Sequence, residues 1–307
     1  MTGARGGLTT ERPSAARIWL MAARPRTLPA AVAPVVVGTA LAATEDTFKV
    51  LTFVAALLGA LFIQVGTNLS NDYSDARRGA DTEDRLGPVR VTAGGLVPPT
   101  QVLRATYIAF GAAVLAGAYL IATAGWELLL VGAASILAGV LYTGGPRPYG
   151  YEGLGEVFVF LFFGVVAVAG SFYAQTEQLE WEAFVLAVPV GLLASAILVV
   201  NNVRDLETDR RAGKRTLAVR LGRPGARGLY AGMLAAAFVT APMPWLFGGD
   251  GLDAWLLLPW LALPLAVPVA KVVRERTDGP ALNGALAKTG MLQLAFCTLL
   301  SAGLLAS

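Results

Sequence analysis

The 307 residues contain no histidine and one cysteine, Cys297. Without histidine there is no Ser-His-Asp or Cys-His nucleophile and no imidazole-ligated metal. A single cysteine leaves no intrachain disulfide and no zinc cluster, so any metal bound here is held by oxygen. Charge is scarce as well: Asp, Glu, Lys and Arg make up 15% of the chain, against roughly 25% in soluble domains. Hydrophobic residues make up 55%. So little charge cannot cover the surface of a soluble chain of this length, and the sequence reads as an integral membrane protein.

What is present is organised by the bilayer. A spanning helix needs about 20 mostly apolar residues, and nine segments qualify: 28–44, 50–70, 102–124, 127–143, 154–174, 183–202, 226–247, 254–273 and 286–305. Their middles are almost free of charge and rich in Gly, Ala and Pro, as in packed membrane helices. They are too long and too uniformly apolar to be barrel strands. The expected fold is all-α and polytopic, with nine transmembrane helices around a central cavity and two long loops capping its cytoplasmic side. Of the 24 Lys and Arg residues, 23 fall in the N-terminal region or next to the loops after the second, fourth, sixth and eighth segments. Lys49 alone lies opposite, with Glu45, Asp46, Glu127, Glu177, Glu180, Glu182, Asp250 and Asp253. By the positive-inside rule the N-terminus is cytoplasmic and the C-terminus outside, in the cytoplasmic (inner) membrane. Residues 1–16 lack periodicity and are expected to be a disordered tail, with 17–307 a single transmembrane domain. The first segment is not read as a signal peptide, because Pro25, Pro29 and Pro34 and a long basic region precede or interrupt it.

Chemistry concentrates where two apolar segments meet the cytoplasmic side. Asn68, Asn71, Asp72 and Asp75 lie across the end of the second segment, and Asn201, Asn202, Asp205 and Asp209 across the end of the sixth. If the helices continue, Asn68 and Asp72 are four apart with Asp75 a turn further on, and Asn201, Asp205 and Asp209 are successive steps of four. Each motif then presents an amide and two carboxylates on one face. The copies are 133 residues apart, which suggests a pseudo-repeat that brings two acidic faces together. Converging carboxylates at a membrane edge repel and are costly to desolvate, and a hard divalent cation removes that cost. Mg²⁺ prefers oxygen ligands and shares them with substrate phosphates. Asp72, Asp75, Asp205 and Asp209 are the expected metal ligands, clamping a diphosphate. Arg77, Arg78, Arg204, Arg210, Lys214 and Arg215 lie beside them for the remaining phosphate oxygens.

These residues resemble the UbiA superfamily of intramembrane prenyltransferases: Asn-Asp-x-x-Asp at 71–75 and Asp-x-x-x-Asp at 205–209. The stretches RPRTLPAA from Arg24, QVGTN from Gln64, DRLGPVRVT from Asp84, YTGGP from Tyr142 and AGKRTLAVRLG from Ala212 are most similar to the branch acting on 1,4-dihydroxy-2-naphthoate. The resemblance runs from about residue 17 to the end. It implies Mg²⁺-dependent transfer of a polyprenyl group from a polyprenyl diphosphate to 1,4-dihydroxy-2-naphthoate, with loss of CO₂ and diphosphate, giving demethylmenaquinone in its hydroquinone form. The implied partners are these two substrates and membrane lipid, with no nucleic acid. Asn68 and Asn201 are then expected to contact metal water or diphosphate, with Asn71 and Asn202 beside them and Gln64 a turn before. Lys214 and Arg78 are expected on the diphosphate. Arg85 or Arg90 is expected on the acceptor carboxylate, and Tyr142 and Tyr149 on the acceptor or the developing cation. Glu156 is explained by its place at a helix N-terminus, and Cys297 by packing. Other acceptors, such as 4-hydroxybenzoate or homogentisate, would use the same metal machinery. A secondary transporter is the reading from a different class, but its ionisable groups belong near the bilayer midplane, where this chain has almost none.

Overall fold

A computed structural model describes residues 13–80, 86–249 and 251–307. Outside them lie the first twelve residues of the expected tail, with Arg5 and Arg12, as do Asp84, the acceptor candidate Arg85, and Asp250. Among the described residues the regular structure is helical, without strands. Helix α1 (Ala15–Ala23) starts inside the stretch expected as a tail, with the Ser14 hydroxyl accepting from the Arg17 N–H as an N-cap. A tight turn at Pro25–Thr27 leads into α2 (Pro29–Ala43). Then follow α3 (Val50–Arg77), α4 (Pro99–Ala124), α5 (Glu127–Leu141), α6 (Gly155–Thr176), α7 (Trp181–Arg211), α8 (Leu217–Thr240), α9 (Ala254–Glu275) and α10 (Gly279–Ala306).

Each expected apolar segment falls mostly within one of α2 to α10. Six helices (α3, α4, α6, α7, α9 and α10) are long and apolar enough to cross a membrane, and the protein is a multi-pass membrane protein. The helices α1 and α2, bent by 52° at their junction, make a seventh span if the bend is a break within one crossing. The two others are less regular. Helix α5 has only 15 residues, and α8 is broken at Gly222, whose φ of 69° only glycine adopts readily.

Two helices outrun the bilayer. At 1.5 Å per residue the 28 residues of α3 and 31 of α7 extend roughly 42 and 46 Å, beyond the ~30 Å hydrocarbon core. Their last turns carry the two acidic motifs, which therefore sit on rigid helix.

Helix α7 is the centre of the bundle. Its Leu186, Val190, Leu193, Ala196 and Val200 are fully buried and join the main core with residues of α2, α6, α8 and α10. Helix α6 approaches it through glycine: a Cβ on Gly164 would lie 2.7 Å from the Gly191 Cα. At this crossing α6 widens into a π-helical segment, Leu161–Val166. Such an inserted residue breaks the α-helical spacing, and Phe162, Phe163 and Val166 from this segment all line the cavity described next.

Candidate active site

A cavity of about 460 Å³ runs between α2, α3, α4, α5, α6 and α7. Its polar end is built from both motifs: Asn68, Asn71 and Asp75 from α3, and Asn201, Asn202, Asp205 and Asp209 from α7. Lys214, in the turn after α7, joins them, its Nζ standing 3.8 Å from carboxylate oxygens of both Asp75 and Asp209. The two carboxylates are therefore within twice that distance of each other. The Lys214 ammonium also sits over the Tyr151 ring, 4.6 Å from its centroid.

Asp75 is buried and heavily engaged. It accepts from Tyr151 Oη at 2.5 Å and from Arg90 Nη2 at 3.1 Å, besides its contact with Lys214. Asp205 is held by Arg204 through one bidentate edge of the guanidinium, Nε to Oδ1 at 2.8 Å and Nη2 to Oδ2 at 2.5 Å. Arg204 also donates to the Oδ1 atoms of Asn201 and Asn283, both at 2.7 Å. Asn283, on the first turns of α10, donates in turn to the Leu86 carbonyl at 3.0 Å. The second motif is thereby tied to the segment that follows the first.

Asp72 stands apart from the other three carboxylates. It does not line the cavity; its two oxygens accept the backbone N–H groups of Val91 and Thr92 at 3.0 and 2.9 Å. Helical geometry gives the reason. At roughly 100° per residue, Gln64, Thr67, Asn68, Asn71 and Asp75 occupy an arc of about 100°, and Asp72 lies about 40° beyond its edge. The same geometry explains Asn202, which falls about 20° from Asp209 on α7. Asp72 is thus a brace for the Arg90–Thr92 turn. Its replacement by Asn removes one of two acceptors and sets an amide N–H against a backbone N–H, costing about 1–3 kcal/mol. Asp72→Asn should therefore lower the melting temperature in detergent and speed proteolysis around Val91. Wild-type values for both would contradict the brace.

The other expected residues divide in two. Gln64, Asn68, Asn71, Arg90, Tyr142, Tyr149, Asn201, Asn202 and Lys214 line the cavity. Gln64 Nε2 and Asn68 Nδ2 both donate to the Thr27 hydroxyl, at 3.0 and 3.2 Å, and Asn68 also to the Ala23 carbonyl, fastening the α1–α2 turn to α3. Arg78 is exposed, does not line the cavity and donates to the Gly145 carbonyl. Arg204, one of the neighbouring cations expected to be free for phosphate, is committed to Asp205.

Beyond the polar end the walls turn apolar. Tyr142 and Tyr149 meet edge to face at 5.5 Å, Tyr149 stacks on Phe158 at 4.0 Å, and Phe158 lies near-parallel to Phe162 at 6.2 Å. The Tyr149 hydroxyl donates to the Ala138 carbonyl at 2.9 Å, and burial pushes its phenol above the usual range. Further in are Gly117, Leu120, Ile121, Leu128, Gly132, Ile136 and Gly170. Tyr151 and Thr143, from the α5–α6 connection, also contribute to the polar end; Thr143 lies in the YTGGP stretch without a role expected for it, and both are recognised by their contacts, Tyr151 with Asp75 and Thr143 with Asn71 at 2.8 Å.

The donor set suits a hard cation. The cavity offers carboxylate and amide oxygens and no thiol, and among the described residues no three acidic side chains converge on one metal-sized point. Mg²⁺ commonly takes one or two carboxylates and completes its shell with water and phosphate oxygens, so the residues fit.

Residues 31–300 match the family model described as the UbiA prenyltransferase family. A Mycobacterium tuberculosis protein named 1,4-dihydroxy-2-naphthoate octaprenyltransferase is 44% identical over 276 residues, covering 90% of this chain and 92% of its own. An Escherichia coli protein of the same name is 40% identical over 288 residues, covering 92% and 93%. A solved structure, a UbiA homolog from Archaeoglobus fulgidus bound to GPP and Mg²⁺, superposes with a TM-score of 0.67 at 15% identity, covering 94% of this chain and 100% of that one.

Proposed function

This chain belongs to the UbiA prenyltransferase family, and on that premise we propose that it transfers a polyprenyl group from a polyprenyl diphosphate to 1,4-dihydroxy-2-naphthoate, releasing diphosphate and CO₂. The observation that carries the reading is the joining of two acidic motifs by one lysine at the mouth of an apolar cavity. Such a site holds a charged head and a long hydrocarbon tail together. The naphthoate acceptor is supported by the names of relatives at 40–44% identity over most of the chain.

Asp75, Asp205 and Asp209 are the carboxylates placed to hold Mg²⁺, with the Asn71 and Asn202 amides beside them. Asp205 keeps lone pairs for this beyond those its guanidinium partner takes. The metal would neutralise charge on the departing diphosphate. Lys214 and Arg90, already at the carboxylates, bind the diphosphate oxygens the metal leaves open. Tyr142, Tyr149 and Phe158 shield the allylic carbon from water and turn ring faces toward the positive charge that develops as the C–O bond breaks. The acceptor attacks through the ring carbon that bears its carboxylate, and loss of CO₂ restores the aromatic ring, so the step needs no strong base. The tail lies along the inner wall past Gly117 and Gly132.

The charge sorting supports nine crossings in the cytoplasmic membrane, with the N-terminus and the two motif-bearing loops on the cytoplasmic side and the C-terminus outside. It also supports a single membrane domain from about residue 17 on.

The test is an assay of the purified protein or its membranes with 1,4-dihydroxy-2-naphthoate, a polyprenyl diphosphate and Mg²⁺, following prenylated product and CO₂. Turnover should vanish in EDTA and return with Mg²⁺, and excess 4-hydroxybenzoate should not compete. Turnover without a divalent ion would overturn the metal reading. Prenylation of 4-hydroxybenzoate in preference to the naphthoate would overturn the acceptor.

A further inference from the structure

Glu156 has no part in the cavity wall, yet the structure spends a buried carboxyl on it. It lies in the first turn of α6 and is only 4% exposed. Its Oε1 accepts from Asn202 Nδ2 at 2.9 Å, while its Oε2 is buried with no hydrogen-bond partner among the described residues. Complementing a helix N-terminus does not require burial, and a buried carboxyl with one oxygen unpartnered is costly. What that cost secures is the orientation of one amide.

Asn202 lines the cavity between the two motifs. In the structure Asn202 gives Glu156 the NH₂ end, the only one an ionised carboxylate can take, and the carbonyl oxygen is the end left for the cavity. Asn71, the facing amide on α3, is bonded the other way: its Oδ1 takes the Thr143 hydroxyl at 2.8 Å, which leaves its NH₂. A hydroxyl can donate or accept, so Thr143 does not enforce that choice, whereas Glu156 does. The Ser195 hydroxyl donates to the Glu156 carbonyl at 3.1 Å and pins the start of α6 against α7, keeping carboxyl and amide in register.

We propose that Glu156 is a positioning residue that turns the Asn202 carbonyl oxygen toward the cavity, making Asn202 an oxygen donor to the divalent cation or its bound water. This rests on the metal-diphosphate reading above. Groups behind metal ligands typically change metal affinity by about 10–100-fold when removed.

The experiment measures Mn²⁺ binding by EPR on the purified full-length protein with an unreactive prenyl thiolodiphosphate, and turnover alongside. Glu156→Leu should weaken Mn²⁺ binding about 10–100-fold and raise the Mg²⁺ needed for half-maximal turnover, leaving KM for the acceptor unchanged. In an Asn202→Ala background it should add nothing, because the amide it orients is gone. If Glu156→Leu does not fold, Glu156→Gln decides. An amide pair no longer fixes the orientation, so Mn²⁺ binding should weaken severalfold, again only when Asn202 is present. Wild-type Mn²⁺ affinity in the 156 variants, or an equal loss with and without Asn202, overturns the proposal while leaving the site reading intact. Failure of the unmutated protein to bind Mn²⁺ with the thiolodiphosphate would instead sink the site reading itself.

Discussion

Asp75→Asn is expected to lower prenyl transfer by about 10²–10³-fold, the loss usual when one charge-stabilising group is removed from a site of this kind. Asp75 is the carboxylate on which Tyr151, Arg90 and Lys214 converge. Asparagine keeps its size and can still take the tyrosine hydroxyl, so the bundle should remain folded. What disappears is the negative charge that would hold a cation and keep Arg90 and Lys214 poised. Kinetically, the loss should fall on kcat and on the Mg²⁺ requirement, with KM for the acceptor little changed. The contrast with Asp72→Asn sharpens the test. The two residues are three apart on one helix, yet the first should fail in chemistry and the second in stability. If Asp75→Asn turns over within a few-fold of wild type, the metal clamp is wrong. If Asp72→Asn mimics it without loss of stability, the assignment of their faces is wrong.

That contrast also shows how far the sequence could be read. The apolar runs that became α3, α4, α6, α7, α9 and α10 were legible because a bilayer imposes a length and an absence of charge. The motif residues of α7 were legible because steps of four keep Asn201, Asp205 and Asp209 on one arc. On α3 the same reasoning chose Asn68, Asp72 and Asp75, whereas the cavity receives Asn68, Asn71 and Asp75. Spacing fixes which residues are neighbours on a helix, but not how the helix is rotated against its partners. That rotation is set by packing such as the Phe110 ring against Gly66. The pairings that finish the site were not legible. Tyr151 reaches Asp75 across 76 positions, Thr143 reaches Asn71 across 72, and Asn283 reaches Arg204 across 79. No periodicity links such pairs, because they meet only when the α5–α6 connection and the start of α10 pack against the ends of α3 and α7.

Arg204→Leu should be the most damaging single change to stability. The guanidinium is 2% exposed and satisfies both oxygens of Asp205 as well as the Asn201 and Asn283 amides. Removing one partner of a buried pair strands the other charge, at about 3–5 kcal/mol, a large share of the 5–15 kcal/mol that holds a typical domain together. Arg204→Lys should fail nearly as badly, since a single ammonium cannot reproduce a fork bonded along two edges. The cost lies in the stranded charge rather than in the lost attraction, and this makes a second variant informative. Arg204→Leu combined with Asp205→Leu leaves no charge behind, and such apolar replacements of buried pairs are often neutral for stability. The double variant should therefore melt well above Arg204→Leu alone, while prenyl transfer stays abolished because a motif carboxylate is missing. Thermal unfolding in detergent beside the turnover assay separates the two effects. A double variant no more stable than the single would mean that Arg204 acts mainly through Asn201 and Asn283, fastening α7 to α10 and to the Leu86 segment, with its bond to Asp205 secondary.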